Sequence, residues 1–292
     1  MTGMTLKIYL LGQFNLQFDG ASIELPSRPA QSLLAYLALN AGVAHRREKL
    51  ASLLWPDSNE SNARSYLRQA LWRIRKSFES SVLHWEDYLK IRDISVTFNE
   101  QSDYWLDADI LLESTQTQSE KQIIETVRLY QGELLPGFYD EWVLSERDRV
   151  QAAYHQKMHQ LLTLLCETES WQEVLDWGEQ WIRLSHSPEG AFRALMRAYA
   201  EMGDQGMVSA TYQRCIDSLD RELSLDPSPE TRLLYEKIIG EELPVYEKPR
   251  PSFAEFAYQQ PLFLDDAEPE KFEKHVFVAR QRELTQLDEF LK

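Results

Sequence analysis

The spacing of apolar residues changes early in this chain, and that change limits the folds open to it. From Leu6 to Leu25, "LKIYLLGQFNLQFDGASIEL" alternates apolar and polar residues, the period of a half-buried strand. Asp19-Gly20 interrupts the alternation with a pair that favours a hairpin turn. From Pro29 to Asn40 the period becomes helical. Leu33, Leu34, Leu37 and Ala38 share one face, and Pro29 suits a first helical turn. A second short helix is expected over Arg46 to Leu54, buried through Leu50, Leu53 and Leu54 and ended by Pro56. The segment "PDSNESN" (56–62) supplies a turn with several N-cap candidates.

A third helix follows in "NARSYLRQALWRIRKSF" (62–78), which holds five Arg or Lys residues in a chain of net charge −16. At about 100° per residue, Leu67, Leu71, Ile74 and Phe78 cluster into a core stripe. Arg64, Arg68, Trp72 and Arg75 fall on one flank, with Ser65, Gln69 and Lys76 beside them. The segment "VLHWEDYLKIRDISVTF" (82–98) alternates again, with a turn at Arg92-Asp93, and is expected to be a hairpin. Strands, three helices and a hairpin make a winged helix-turn-helix. The strands ahead of the first helix narrow it to the OmpR-type arrangement. In that fold the third helix enters the major groove of DNA, where Arg and Lys meet phosphates and guanine edges.

Charge divides along the same line. Residues 1–100 carry 12 Lys and Arg against 10 Asp and Glu, and residues 101–292 carry 19 against 37. An acidic chain does not stick to nucleic acid indiscriminately, so DNA binding has to come from a local patch.

From about Asp103 the pattern is nearly all helical, with helices expected at 119–131, 141–168, 171–184, 189–202, 206–223 and 230–239. Gly or Pro marks the breaks. Val174 with Val208, and Ile182 with Ile216, repeat at a spacing of 34, which suits tetratricopeptide-like helix pairs, although the Trp-x-x-Leu-Gly signature is imperfect. The fold class expected is therefore mainly α with a small α+β part: a winged helix over 1–100 and a tetratricopeptide-like helical domain over 101–240. Residues 241–275, rich in Pro and acid, are expected to be a linker, although Phe253, Phe256, Tyr258, Leu262 and Phe263 are apolar enough to dock on a neighbouring surface.

Three stretches carry a family resemblance. "LLWPDSNESNARSYLRQALWRIRKSF" resembles the recognition region of SARP-type transcriptional activators. "LYQGELLPGFYDEWVLSERDRV" (129–150) and "RALMRAYAEMGDQGMVSATYQRCIDSLDRELSLDPSPETRLLYEKI" (193–238) are similar to the bacterial transcriptional activator domain found beside that winged helix. The resemblance covers roughly residues 5–240. The tail "FVARQREL" (277–284) is similar to the opening of a signalling ATPase domain, with Ala279 where the pattern has Gly, so 276–292 is read as the start of such a domain. The expected hairpin "WEDYLKIRDISV" lacks the glycine that often precedes its Tyr in the family. The resemblance implies an activator that binds direct repeats in double-stranded promoter DNA, associates in tandem copies and recruits RNA polymerase.

Within that frame, Arg68 and Gln69 are the expected base readers, since Arg pairs with guanine and Gln with adenine. Arg64, Ser65, Arg75 and Lys76 suit phosphate equally well, and the sequence does not fix which basic residues read bases. Trp72 either covers a thymine methyl or packs beside the wing. Arg46 and Arg47 either touch phosphate or are plain surface, and Lys90 and Arg92 stand where a wing reaches the backbone or minor groove. His155 and His159 have a zinc-compatible spacing without a third ligand and are read as packed or solvated side chains. No phosphate loop, nucleophile elbow or Cys/His cluster occurs, so neither enzymatic activity nor a cofactor is expected. Cys166 and Cys215 are read as buried free thiols, and with no signal-peptide pattern or long apolar run a cytoplasmic protein without membrane contact is expected. Two other functions compete: a protein-interaction scaffold working through the helical repeats, and the front end of an ATP-dependent switch.

Overall fold

The computed structural model describes residues 5–81, 83–113 and 119–240. The expected linker and ATPase-like tail lie outside the described residues. Along the chain, β1 (Leu6–Tyr9), β2 (Asn15–Phe18) and β3 (Ala21–Ser22) precede α1 (Arg28–Leu39). Then come β4 (His45–Arg46), α2 (Arg47–Leu54), α3 (Glu60–Ser80), α4 (Trp85–Tyr88), β5 (Leu89–Ile91), β6 (Ser95–Phe98) and β7 (Tyr104–Leu106). The rest is helical: α5 (Asp107–Leu112), α6 (Glu120–Val127), α7 (Glu141–Glu167), α8 (Trp171–Leu184), α9 (Glu189–Glu201), α10 (Gln205–Leu223) and α11 (Pro229–Ile239).

Asp19 and Gly20 both take positive φ, 49° and 78°, the geometry that matches the twist of a two-residue hairpin. The first sheet has the order β3-β2-β1-β7, and β7 lies parallel to β1 with Leu6 opposite Tyr104 and Ile8 opposite Leu106. The second sheet has the order β4-β6-β5 and forms the wing. The fold is a winged helix joined to a tetratricopeptide-like helical array. Val174 and Val208, 34 residues apart, are both fully buried, while Ile182 and Ile216 are both half-buried, so the repeat holds in packing as well as in sequence.

Several elements differ from the sequence reading. The segment before β5 is not a strand. Tyr88 is drawn into an aromatic cluster with Phe78 (5.9 Å between centroids) and Phe98 (6.5 Å), and a helical turn over Trp85–Tyr88 supplies that direction. β7 is a strand inside a stretch expected to be helical, because the edge of β1 offers it backbone partners. α6 stops at Val127 rather than 131: Leu129 N–H and Tyr130 N–H bond Thr126 and Val127 carbonyls in tighter turns. α2 begins at Arg47, since Arg46 is taken by β4.

One apolar core runs through both halves. Leu6, Ile8 and Leu16 of the first sheet, Leu33, Leu34 and Leu37 of α1, and Leu67, Ile74 and Phe78 of α3 are continuous with Leu111 of α5 and Val143, Val150 and Tyr154 of α7. The junction has a polar centre. Asp107, 1% exposed, accepts the N–H groups of Leu10 (2.9 Å), Leu11 (2.9 Å) and Ala108 (2.8 Å). It therefore satisfies the donors that β1 leaves at its end while opening α5. Further along, Leu135 N–H donates to Leu10 carbonyl (2.9 Å) and Gly12 N–H to Glu133 carbonyl (3.0 Å). Across the same junction Tyr36 of α1 meets Trp142 of α7 edge-on at 5.2 Å.

Burial lifts the Asp107 carboxyl to about 6, against the downward pull of the Leu11, Leu10 and Ala108 N–H groups. Burial lifts Asp109 to about 6 as well, with Arg149 opposing and Asp107 adding to the rise. Both values stand above the ordinary 3.8. Between about pH 4 and 6 the folded chain then binds more protons at these groups than the unfolded one. Their contribution to stability is greatest below about pH 4 and declines as pH rises through about 6. Urea midpoints measured across this range should show Asp109→Asn with a shallower decline than wild type. An identical pH dependence in the two proteins would contradict the assignment.

Candidate nucleic-acid interface

The candidate interface is built on α3. Asn59 caps it by accepting Asn62 N–H at 2.9 Å, which settles one of the free donors of the first turn. The helix then buries Ala63, Leu67, Ala70, Leu71, Ile74, Ser77 and Phe78 against the winged-helix core. Every polar position named for this helix lies on the exposed side: Arg64, Ser65, Arg68, Gln69, Trp72, Arg75 and Lys76. Trp72 is 60% exposed, too open to be a packing residue of the wing.

The wing is fastened beside the start of α2. Arg46 pairs with Ser95 in the sheet, Arg47 N–H donates to Ile94 carbonyl (3.0 Å), and the Arg47 guanidinium reaches Arg92 carbonyl (3.4 Å). The tip turns through Arg92 N–H to Ser95 carbonyl at 2.8 Å. It leaves Ile94 73% exposed. Arg46, Arg47, Arg64 and Arg68 come together with Asp93 and Ile94 around an open cleft of about 760 Å³. Ser65, Gln69, Trp72 and Lys76 continue along α3.

The remaining candidates are placed differently. Arg75 stacks over the Trp85 ring at 4.1 Å, so its side chain is partly committed to α4. Lys90 donates to Asn99 Oδ1 at 2.7 Å, toward the base of the wing rather than its tip. Arg92 is exposed at the turn. Three acids escaped the sequence reading: Glu48, Glu60 and Asp93 line the same cleft as the arginines. Glu60 was findable from its i,i+4 spacing to Arg64. Glu48 was not, because it arrives from another helix.

The helical half has its own organising side chains. Arg147, mostly buried, donates to the carbonyls of Leu134 (2.7 Å), Leu135 and Phe138 (2.9 Å) and pairs with Glu133 at 3.6 Å. It thereby fixes the 131–140 loop, in which Leu135 and Gly137 take positive φ. At the far end, Glu189 accepts Ser228 N–H (2.9 Å), Ser228 Oγ (2.7 Å) and Thr231 Oγ1 (2.6 Å), which docks the start of α11 on α9. Burial works to raise the Glu189 carboxyl, but these donors and Arg193 outweigh it and leave the group below the usual range.

Residues 108–239 match the bacterial transcriptional activator domain. Both arrangements just described lie inside the matched residues. Arg147 accounts physically for the "LLPGFYDEW" segment and Glu189 for the "DPSPET" segment near its end. The chain is also similar in structure to Mycobacterium tuberculosis EmbR, solved in complex with a low-affinity phosphopeptide. The TM-score is 0.67 at 18% identity, over 82% of this chain and 66% of that one. At that identity the likeness speaks for the fold alone. A comparison with curated proteins finds no match. No helix among the described residues is long and apolar enough to cross a membrane. His155 packs edge-on against Trp181 at 5.7 Å, and no group of side chains among the described residues is arranged to hold a metal ion.

Because Arg147 serves three loop carbonyls at once, Arg147→Met should cost about 2–4 kcal/mol in urea unfolding. It should also speed amide exchange at Gly12 and Leu135, whose bonds join this loop to β1. Unchanged exchange at both amides would show that the loop holds its shape without the guanidinium.

Proposed function

We propose that the chain is a sequence-specific DNA-binding transcriptional regulator, an activator that seats α3 in the major groove of promoter DNA. The observation that carries this reading is the exposed side of α3, where Arg64, Ser65, Arg68, Gln69, Trp72, Arg75 and Lys76 are presented in a chain of net charge −16. A solvated helix face of no function would have no cause to concentrate base so locally. From Arg64 to Lys76 the helix rises about 18 Å, enough to follow roughly five base pairs. The match to the activator domain supports the activator assignment. On this reading the regulator binds direct repeats in tandem copies, and its acidic helical half stays off the DNA and meets RNA polymerase. It acts by binding, without catalysis or a cofactor, in the cytoplasm.

The arginines divide by role. Arg68 lies in the cleft and has no partner among the described residues, which suits it to a guanine edge. Lys76 lies near the C-terminal end of α3, where a groove wall and its phosphates approach. Arg75 and Lys90, already engaged by Trp85 and Asn99, serve as positioning contacts to the backbone. Arg46, Arg47 and Arg92 border the wing and meet phosphate.

Arg68→Ala should lose about 1–3 kcal/mol on a duplex selected from random DNA and little on a scrambled one. Lys76→Ala should weaken both duplexes alike and lower the log–log salt slope by about one unit. Anisotropy titrations of the full chain across a salt series would measure both effects. Two variants that bind like wild type would remove α3 from the groove and favour the scaffold function.

A further inference from the structure

The cleft that gathers Arg46, Arg47, Arg64 and Arg68 also holds Glu48, Glu60 and Asp93, so four guanidinium groups face three carboxylates. A surface meant only to attract a polyanion would not carry those acids. Arg64 sits between two of them. Its Nη2 lies 3.1 Å from Glu48 Oε1 and also contacts Glu60 Oε1. All three side chains are at least half exposed, so the pairs are weak and screened by salt.

We propose that Glu48 and Glu60 are specificity-determining residues: they hold one end of the Arg64 guanidinium in the free and the bound protein alike, so that its remaining N–H groups serve a base edge rather than whichever phosphate is near. The inference rests on the DNA-binding reading above. The argument is electrostatic. A carboxylate facing DNA repels every duplex to the same extent, whatever its sequence. Paired to Arg64, the two glutamates also withhold a cation that would otherwise clamp phosphate anywhere on the duplex. Affinity for DNA in general falls. On the preferred sequence, a guanine offers O6 and N7 together, an acceptor that the held guanidinium meets without leaving the carboxylates. The contact is thus gained on one sequence and not on the others. Glu48 and Glu60 also lie in the first turns of α2 and α3, where a carboxylate complements the helix dipole. That structural role would change helix stability but not the ratio between sequences.

The test compares the full-length wild type, the double variant E48Q/E60Q and the control E173Q/E201Q. The control removes the same charge from exposed sites of the helical half. Binding is measured by anisotropy on a selected and a scrambled duplex across a salt series, with circular dichroism melts to confirm folding. E48Q/E60Q should bind the scrambled duplex about tenfold more tightly near 50 mM salt, with a slope steeper by about one unit. It should gain clearly less on the selected duplex, so discrimination falls, while the control leaves the ratio unchanged. Equal gains on both duplexes, no gain on either, or the same change in the control would overturn the proposal. If E48Q/E60Q melts below the assay temperature, single Glu60→Gln carries the same test. A wild-type chain that binds neither duplex would overturn the DNA-binding reading itself, and this proposal with it.

Discussion

The buried carboxylate of Asp107 is the point on which this architecture turns. A strand that ends inside a protein leaves donors that must find acceptors, and an unmet buried N–H costs about 1–3 kcal/mol. Just beyond β1, Leu10 and Leu11 donate their N–H groups to Asp107, which also opens the first helix of the other half. The same carboxylate therefore closes the sheet and starts the helical array. With β7 paired to β1 on one side and the 131–140 loop bonded to Leu10 and Gly12 on the other, the two halves share a core. The winged helix is held by the helical half rather than tethered to it.

That coupling gives the exposed face of α3 a rigid support. Its dry side packs through Leu67, Ile74 and Phe78, and Phe78 touches the aromatic cluster that sets α4 and the base of the wing. The wing tip is then pinned to the start of α2 by the Arg47 backbone and guanidinium. Helix, wing and cleft are positioned by the same buried residues, so a substitution in that core acts on the interface at a distance. The cleft itself is a balance of charges rather than a basic surface, with Arg64 shared between carboxylates from two helices.

How much of this was legible in the sequence depends on whether its cause was local. The stripe Leu67, Leu71, Ile74 and Phe78 is a periodicity, and all four are buried. Asp19-Gly20 is a local conformational preference, and it forms the turn expected. Among the described residues, six of the seven helices of the second half followed from period and from Gly or Pro breaks, although α6 ends earlier than its pattern suggested. What stayed hidden was tertiary in origin. β7 is a strand because β1 has a free edge, α4 is helical because Tyr88 is wanted by an aromatic cluster, and Asp107 looked like one acid among many. At the candidate site, the exposure of Arg64, Arg68, Gln69 and Trp72 was readable from helical geometry. The stacking of Arg75 on Trp85 and the approach of Glu48 to Arg64 were not, since each partner comes from another element.

The central claim, that α3 and the wing tip meet DNA, is tested most directly by hydroxyl-radical footprinting of the full chain with and without a duplex selected from random DNA. Free, Trp72, Ile94, Tyr139 and Leu233 are 60%, 73%, 80% and 63% exposed, so all four should be oxidised readily. With the duplex bound, Trp72 and Ile94 should lose reactivity while Tyr139 and Leu233 keep theirs. Loss at Leu233 with Trp72 and Ile94 unaffected would contradict the account, and would move the working surface to the helical repeats.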